Sequence, residues 1–167
     1  GGAIGKTYVG IFDIGNGGDT GKFSGDIAND GQLFFSRIDD VTYAGSLTGS
    51  GLLKKSGEGA LTFSGDGTAF AGMTTIGEGS LVLEGVLGGN AMVASGATLR
   101  IGAGRLGGDL ANEGMAIFAS ANDGDYSGSL SGSGTIVKEG EGILTYGGNG
   151  AGFGGITTVS AGTLRLA

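Results

Sequence analysis

The 167-residue chain contains no proline, cysteine, histidine or tryptophan. Average usage would place about 8 prolines in this length, so their absence points to a backbone whose N–H donors are committed to pairing. Without cysteine there are no disulfides, thiolate nucleophiles or thiolate zinc sites. Without histidine there is no Ser-His or Cys-His catalysis and no imidazole for a metal, leaving carboxylates, Lys, Arg, Tyr and hydroxyls. Long apolar runs are missing too: the longest uncharged stretch, 142–164, interleaves apolar residues with Gly and Thr and reads as strands and turns, not as a membrane span. Residues 1–22 are too polar for a signal peptide.

What the chain has in excess is glycine, 42 residues, with 39% hydrophobic content and a formal charge of −7. Glycine enrichment without a period would suggest a disordered spacer, but this hydrophobic share is enough to bury a core in one domain. The acidic balance disfavours nucleic acid and anionic membranes as partners, since both are polyanions.

A period is present. Positions 23–84 align with 106–167 at an offset of 83 residues without a gap, and 29 of the 62 pairs are identical. Asn29 pairs with Asn112, Tyr43 with Tyr126, Lys55 with Lys138 and Phe70 with Phe153, and GSLTGSG at 45–51 returns as GSLSGSG at 128–134. Upstream, after a further shift of four residues, FDIGNG at 12–17 matches LRIGAG at 99–104. Inside each copy, Gly-led alternating segments start at 31, 51, 59 and 79, and again at 114, 134, 142 and 162. Such alternation predicts short strands with Leu61, Phe63, Leu81, Leu83, Leu99, Ile101, Leu144, Tyr146, Leu164 and Leu166 inward, and Thr62, Val82, Arg100, Thr145 and Arg165 outward. No helical period occurs.

Short strands with a rhythm of about 20 residues predict an all-β solenoid, a right-handed parallel β-helix of about eight coils, roughly four per copy. Corners such as Asn29-Asp30-Gly31, Gly77-Glu78-Gly79, Asn112-Glu113-Gly114 and Ala161-Gly162 then call for positive φ. Strands paired on both edges need every N–H, which fits the lack of proline.

Stretches 49–85 and 132–167 carry a Lys at 55 and 138, a Gly-x-Gly-x-Leu-Thr run at 57–62, GMTTI at 72–76 or GITTV at 155–159, and a Gly-x-Leu-x-Leu close at 79–83. In these elements the chain resembles the passenger-associated β-strand repeat of bacterial autotransporters. The resemblance implies that residues 1–167 are a single β-helical passenger fragment of a Gram-negative bacterium, secreted or displayed at the cell surface. It also implies that a C-terminal β-barrel, which this chain does not include, carries the passenger through the outer membrane. Partners of such passengers are host receptors, matrix, glycans or other bacterial cells, and the expected role is an adhesin or host-cell-binding virulence factor. A structural stalk is the first alternative and a β-helical polysaccharide-cleaving enzyme the second.

No catalytic, cofactor or metal residues are assigned. Asp39, Asp40, Asp123 and Asp125 read as solvated corners, four coils apart between copies. GNGGDTGKF at 15–23 has the outline of a calcium-binding nonapeptide but occurs once, where such sites need stacked copies. Positions that differ between copies are better candidates for a singular site. Arg37 and Lys54, whose counterparts are Ser120 and Val137, together with Lys55 beside them, which repeats as Lys138, predict a basic spot for sulfated glycans or an acidic receptor patch.

Overall fold

The computed structural model describes residues 6–8, 10–19 and 21–167, with side chains from position 10 onward. Among the described residues the alternating segments form 24 short strands and no helix. Strands recurring every 17 to 21 residues lie parallel on one another, so the chain winds as a β-solenoid of about eight turns. One side is an eight-stranded sheet running from Ile11–Gly18 through Gln32–Arg37, Leu52–Ser56, Met73–Ile76, Asn90–Val93, Leu110–Asn112 and Leu130–Gly132 to Gly152–Phe153. A second side is a seven-stranded sheet from Val41–Tyr43 to Ile156–Val159. The remaining strands form three separate three-stranded sheets.

The core is a set of stacked ladders. Leu33, Leu53, Thr74, Ala91, Leu110 and Leu130 stack along the first sheet. Leu61, Leu81, Leu99, Ala116 and Ile136 do so along the second. All are buried. Beside them runs an aromatic and aliphatic ladder, Tyr43, Phe63, Leu83, Ile101 and Phe118, whose first two rings stack with centroids 5.8 Å apart. The predicted inward and outward sets hold from Thr62 to Ile101. Toward the end of the solenoid cover thins: Leu144 and Tyr146, paired on both sides, are only partly buried, and in the last turn, with a neighbour on one side only, Leu164 is partly buried and Leu166 is 75% exposed.

The glycines have a cause different from the expected one. Gly79 and Gly162 do hold positive φ, 65° and 64°, whereas Gly31 and Gly114 are not among the positive-φ residues. The wider requirement is close approach of backbones. Along one column Gly45, Gly65, Gly85 and Gly104 each lie on the carbonyl oxygen of the glycine one turn earlier, and a Cβ on any of them would overlap that oxygen. Gly51, Gly72, Gly89, Gly108, Gly128 and Gly148 form a second such column.

The two copies are not superposed along the axis, as four coils per copy would require. Four turns on from Leu33 the ladder reaches Leu110, from position 33 to position 110, or 77 residues. The 83-residue repeat is therefore four turns plus one strand. Gln32–Arg37 lies in the eight-stranded sheet, while its counterpart Met115–Phe118 lies in the seven-stranded one. Val41–Tyr43 lies in the seven-stranded sheet and its counterpart Gly124–Tyr126 in a three-stranded one. Stacking within each copy is nonetheless preserved: Gln32 pairs with Leu52 as Met115 does with Thr135, and Tyr43 with Phe63 as Tyr126 does with Tyr146. Equivalent side chains thus appear on successive faces of the solenoid.

Leu81→Ala, which opens a cavity in the central ladder, should cost about 2 to 5 kcal/mol, while Val82→Thr on the outer surface should change stability by no more than about 0.5 kcal/mol. Urea denaturation of the two variants checks this register.

Candidate partner-binding surface

The corners decide what reaches the surface. Backbone groups that leave the ladders there still need partners, and long cationic side chains supply donors from inside. Lys55 sits on the inward ladder between Phe35 and Ile76 and is 1% exposed. Its Nζ donates to the carbonyls of Ser56 (3.1 Å), Gly57 (2.7 Å) and, one turn on, Glu78 (3.3 Å). Lys138 repeats the device with Glu139 (3.0 Å), Gly140 (2.8 Å) and Ala161 (3.4 Å). Burial holds the Lys55 ammonium below the usual lysine value, with Glu78 and Asp40 opposing that shift.

Arg37, also 1% exposed, is held differently. Its Nε and Nη2 make a two-point contact with the Asp39 carboxylate at 2.8 Å each, and Nη1 and Nη2 donate to the carbonyls of Gly21 and Asp19 at 2.6 Å. The hydrogen bond to Asp39 raises the guanidinium pKa and lowers that of the carboxylate. The basic spot predicted from Arg37, Lys54 and Lys55 therefore does not form: two of the three are buried donors to the backbone, and Lys54 alone faces solvent. In the 15–23 segment the carbonyls of Asp19 and Gly21 are taken by the arginine, and position 20 of that segment lies outside the described residues.

The acidic corners are also structural. Asp26, Asp40, Asp109 and Asp123 each accept the backbone N–H of the residue 20 positions on, all at 2.8 Å. Asp39 holds Arg37, and Asp125 is exposed. Among the described residues no group of three or more carboxylates could hold a metal ion.

Two features remain for recognition. The outer column of the seven-stranded sheet, Thr42, Thr62, Val82, Arg100, Ile117, Val137 and Thr158, forms a regular strip with one cation. The second is a cleft of about 480 Å³ where the copies meet, between the three-stranded sheet that ends at Arg105–Leu106 and the one that starts at Gly124–Tyr126. Phe118 and Tyr126, both buried, and the partly buried Leu144 line its floor, and the exposed Glu84, Arg105, Asp123 and Asp125 line its rim. Sequence reasoning did not locate this cleft. The available signal was the pair Arg37/Ser120 together with the four-residue shift upstream.

Residues 53–83 and 136–166 match the passenger-associated-transport-repeat family. The chain is also 44% identical over 48 residues to the adhesin BmaC autotransporter of Brucella suis biovar 1 (strain 1330), a match that spans 29% of this chain and 1% of that protein. No solved structure matches the chain. The two matched segments start 83 residues apart, at the offset of the internal duplication, and are autotransporter passenger repeats.

The buried tyrosines give the fold a pH limit. Tyr43 Oη donates to the carbonyls of Gly25 (2.8 Å) and Ser46 (3.1 Å), and Tyr126 Oη to that of Gly108 (2.8 Å). Burial foremost, then Asp26 near Tyr43 and Asp109 near Tyr126, raises both phenols well above the usual tyrosine value. A group whose folded pKa is raised stabilises fully below its unfolded pKa, about 10 for tyrosine, and loses that contribution as pH rises further. The lowered Lys55 acts in the opposite sense, adding stability up to about 10.5, but it is one group against three, since burial also raises the Tyr146 phenol. Stability measured by urea unfolding should fall above about pH 10. Tyr43→Phe should cost about 1 kcal/mol at pH 7 through its lost hydrogen bonds and reduce the alkaline fall.

Proposed function

We propose that this segment belongs to a secreted or surface-displayed autotransporter passenger and acts as an interaction module, adhering to host cells, matrix, glycans or other bacteria. The observation that carries this reading is the pair of passenger repeats, joined by the likeness to an adhesin autotransporter over 48 residues. The side-chain inventory supports it. Buried cations and corner carboxylates are engaged with the backbone, so what the solenoid offers outside is a regular array of side chains on rigid ladders. Rigid presentation favours recognition, since little conformational entropy is lost when a partner docks.

A polysaccharide-cleaving activity finds less support. Such a site needs a pair of carboxylates free for proton transfer, whereas Asp40, Asp123 and Glu84 each accept a backbone N–H of a neighbouring turn. A stalk role predicts that the segment binds nothing.

The purified chain, labelled and applied to cultured epithelial cells, matrix proteins and Gram-negative bacteria, should bind at least one of them saturably, and heat-unfolded protein should not. Absence of binding to all three would overturn the proposal in favour of a stalk. Release of reducing or unsaturated sugars from host glycans would overturn it in favour of an enzyme.

A further inference from the structure

The duplication supplies an internal comparison for the cleft. Ile14 stacks under Phe35 in the first copy as Ile101 stacks under Phe118 in the second. From those isoleucines to Phe23 and Leu106, where the common frame begins, the first copy runs through eight residues, 15–22, and the second through four, 102–105. The longer corner of the first copy lies over its own Arg37: a Cβ on Gly15 would overlap Arg37 Cγ, and the guanidinium donates to the carbonyls of Gly21 and Asp19 while Asp39 holds it from the other side. In the second copy Ser120 and Asn122 replace Arg37 and Asp39, and the corner is short. Both changes remove atoms from one place, and Ser120, Asn122, Phe118 and Tyr126 line the cleft found there.

We propose that this cleft in the second copy binds the side chain of an arginine carried by a partner polypeptide, in the place that Arg37 fills in the first. In the first copy Asp39 and the carbonyls of Asp19 and Gly21 seat the guanidinium; the second copy lacks all three, and the acceptors beside its cleft are instead the carboxylates of Glu84, Asp123 and Asp125. In the second copy Phe118, Tyr126 and Leu144 supply an apolar bed for the aliphatic stem. Glu84 and Asp123 each accept one backbone N–H, from Ala103 and Ile143, through a single oxygen, and with the exposed Asp125 they outnumber Arg105, while Lys138 is already engaged by three carbonyls. A planar, multiply donating head suits carbonyl and carboxylate acceptors better than a compact ammonium does, so arginine is preferred to lysine. The overall charge of −7 favours approach of a cationic segment. The volume, about 480 Å³, falls within the ordinary range for ligand clefts.

This proposal is independent of cell adhesion, because its test needs only purified protein and peptide. The 15N-labelled chain is titrated with the peptide Gly-Gly-Arg-Gly-Gly and, in parallel, with its citrulline and lysine forms. The arginine peptide should give saturable shifts centred on the amides of Gly104, Ser120, Asn122 and Gly124, and bind roughly fivefold or more tightly than the citrulline form, which keeps the shape and lacks the charge. Ser120→Arg combined with Asn122→Asp, which restores the Arg–Asp pair of the first copy within the chain, should abolish the shifts. Asp125→Asn, an exposed change with no structural role, should weaken binding roughly twofold or more. The proposal is overturned if no shifts occur, if citrulline binds equally well, if the response survives both sets of substitutions, or if a neutral oligosaccharide shifts these amides while the peptide does not.

Discussion

Backbone against backbone at the corners is the contact on which this solenoid depends. Parallel strands stack about 4.8 Å apart. Along the sides, side chains project inward or outward and leave that spacing free, but at a corner the chain turns and its carbonyls point toward the next turn. Columns of glycine, from Gly45 to Gly104 and from Gly51 to Gly148, let each corner settle on the carbonyl beneath it. A side chain there would hold neighbouring turns apart and strain the adjoining ladders of Leu61, Leu81 and Leu99. The high glycine content is thus a steric requirement of stacking more than a demand for unusual φ.

Close corners create a second requirement, because polar groups near them are shielded from water and must find partners in the chain. Lys55 and Lys138 meet it from inside, reaching carbonyls on two successive turns. Carboxylates meet it from outside: Asp26, Asp40, Asp109 and Asp123 accept N–H groups of the following turn. Much of the acidic surface is therefore part of the stacking. Arg37 and Asp39 close the one long corner, and where the second copy lacks them a cleft opens.

The sequence made the architecture legible because alternation and the gapless 83-residue offset both reflect contacts that recur from turn to turn. Leu61, Leu81 and Leu99 could be placed inward from spacing alone. Two things could not be read that way. Lys55 repeats as Lys138, which marks it as structural, but a lysine on an alternating strand gives no sign that its ammonium turns back to a corner. The rotation of one copy against the other depends on the short turns between Ile76 and Leu110, where stacked residues are 17 and 19 positions apart, and no residue type signals that difference.

Central to the solenoid is that its glycine columns are sites of backbone contact. Gly85 and Gly154 separate that contact from conformational preference, since neither has positive φ, yet a Cβ on Gly85 would overlap Gly65 while one on Gly154 meets nothing within 4 Å. The unfolding free energies of Gly85→Ala and Gly154→Ala are the most direct measurement. Gly85→Ala should lose about 2 kcal/mol or more, and Gly154→Ala should be unchanged or gain up to about 1 kcal/mol through lower entropy of the unfolded chain. Equal effects, or a stabilising Gly85→Ala, would contradict it.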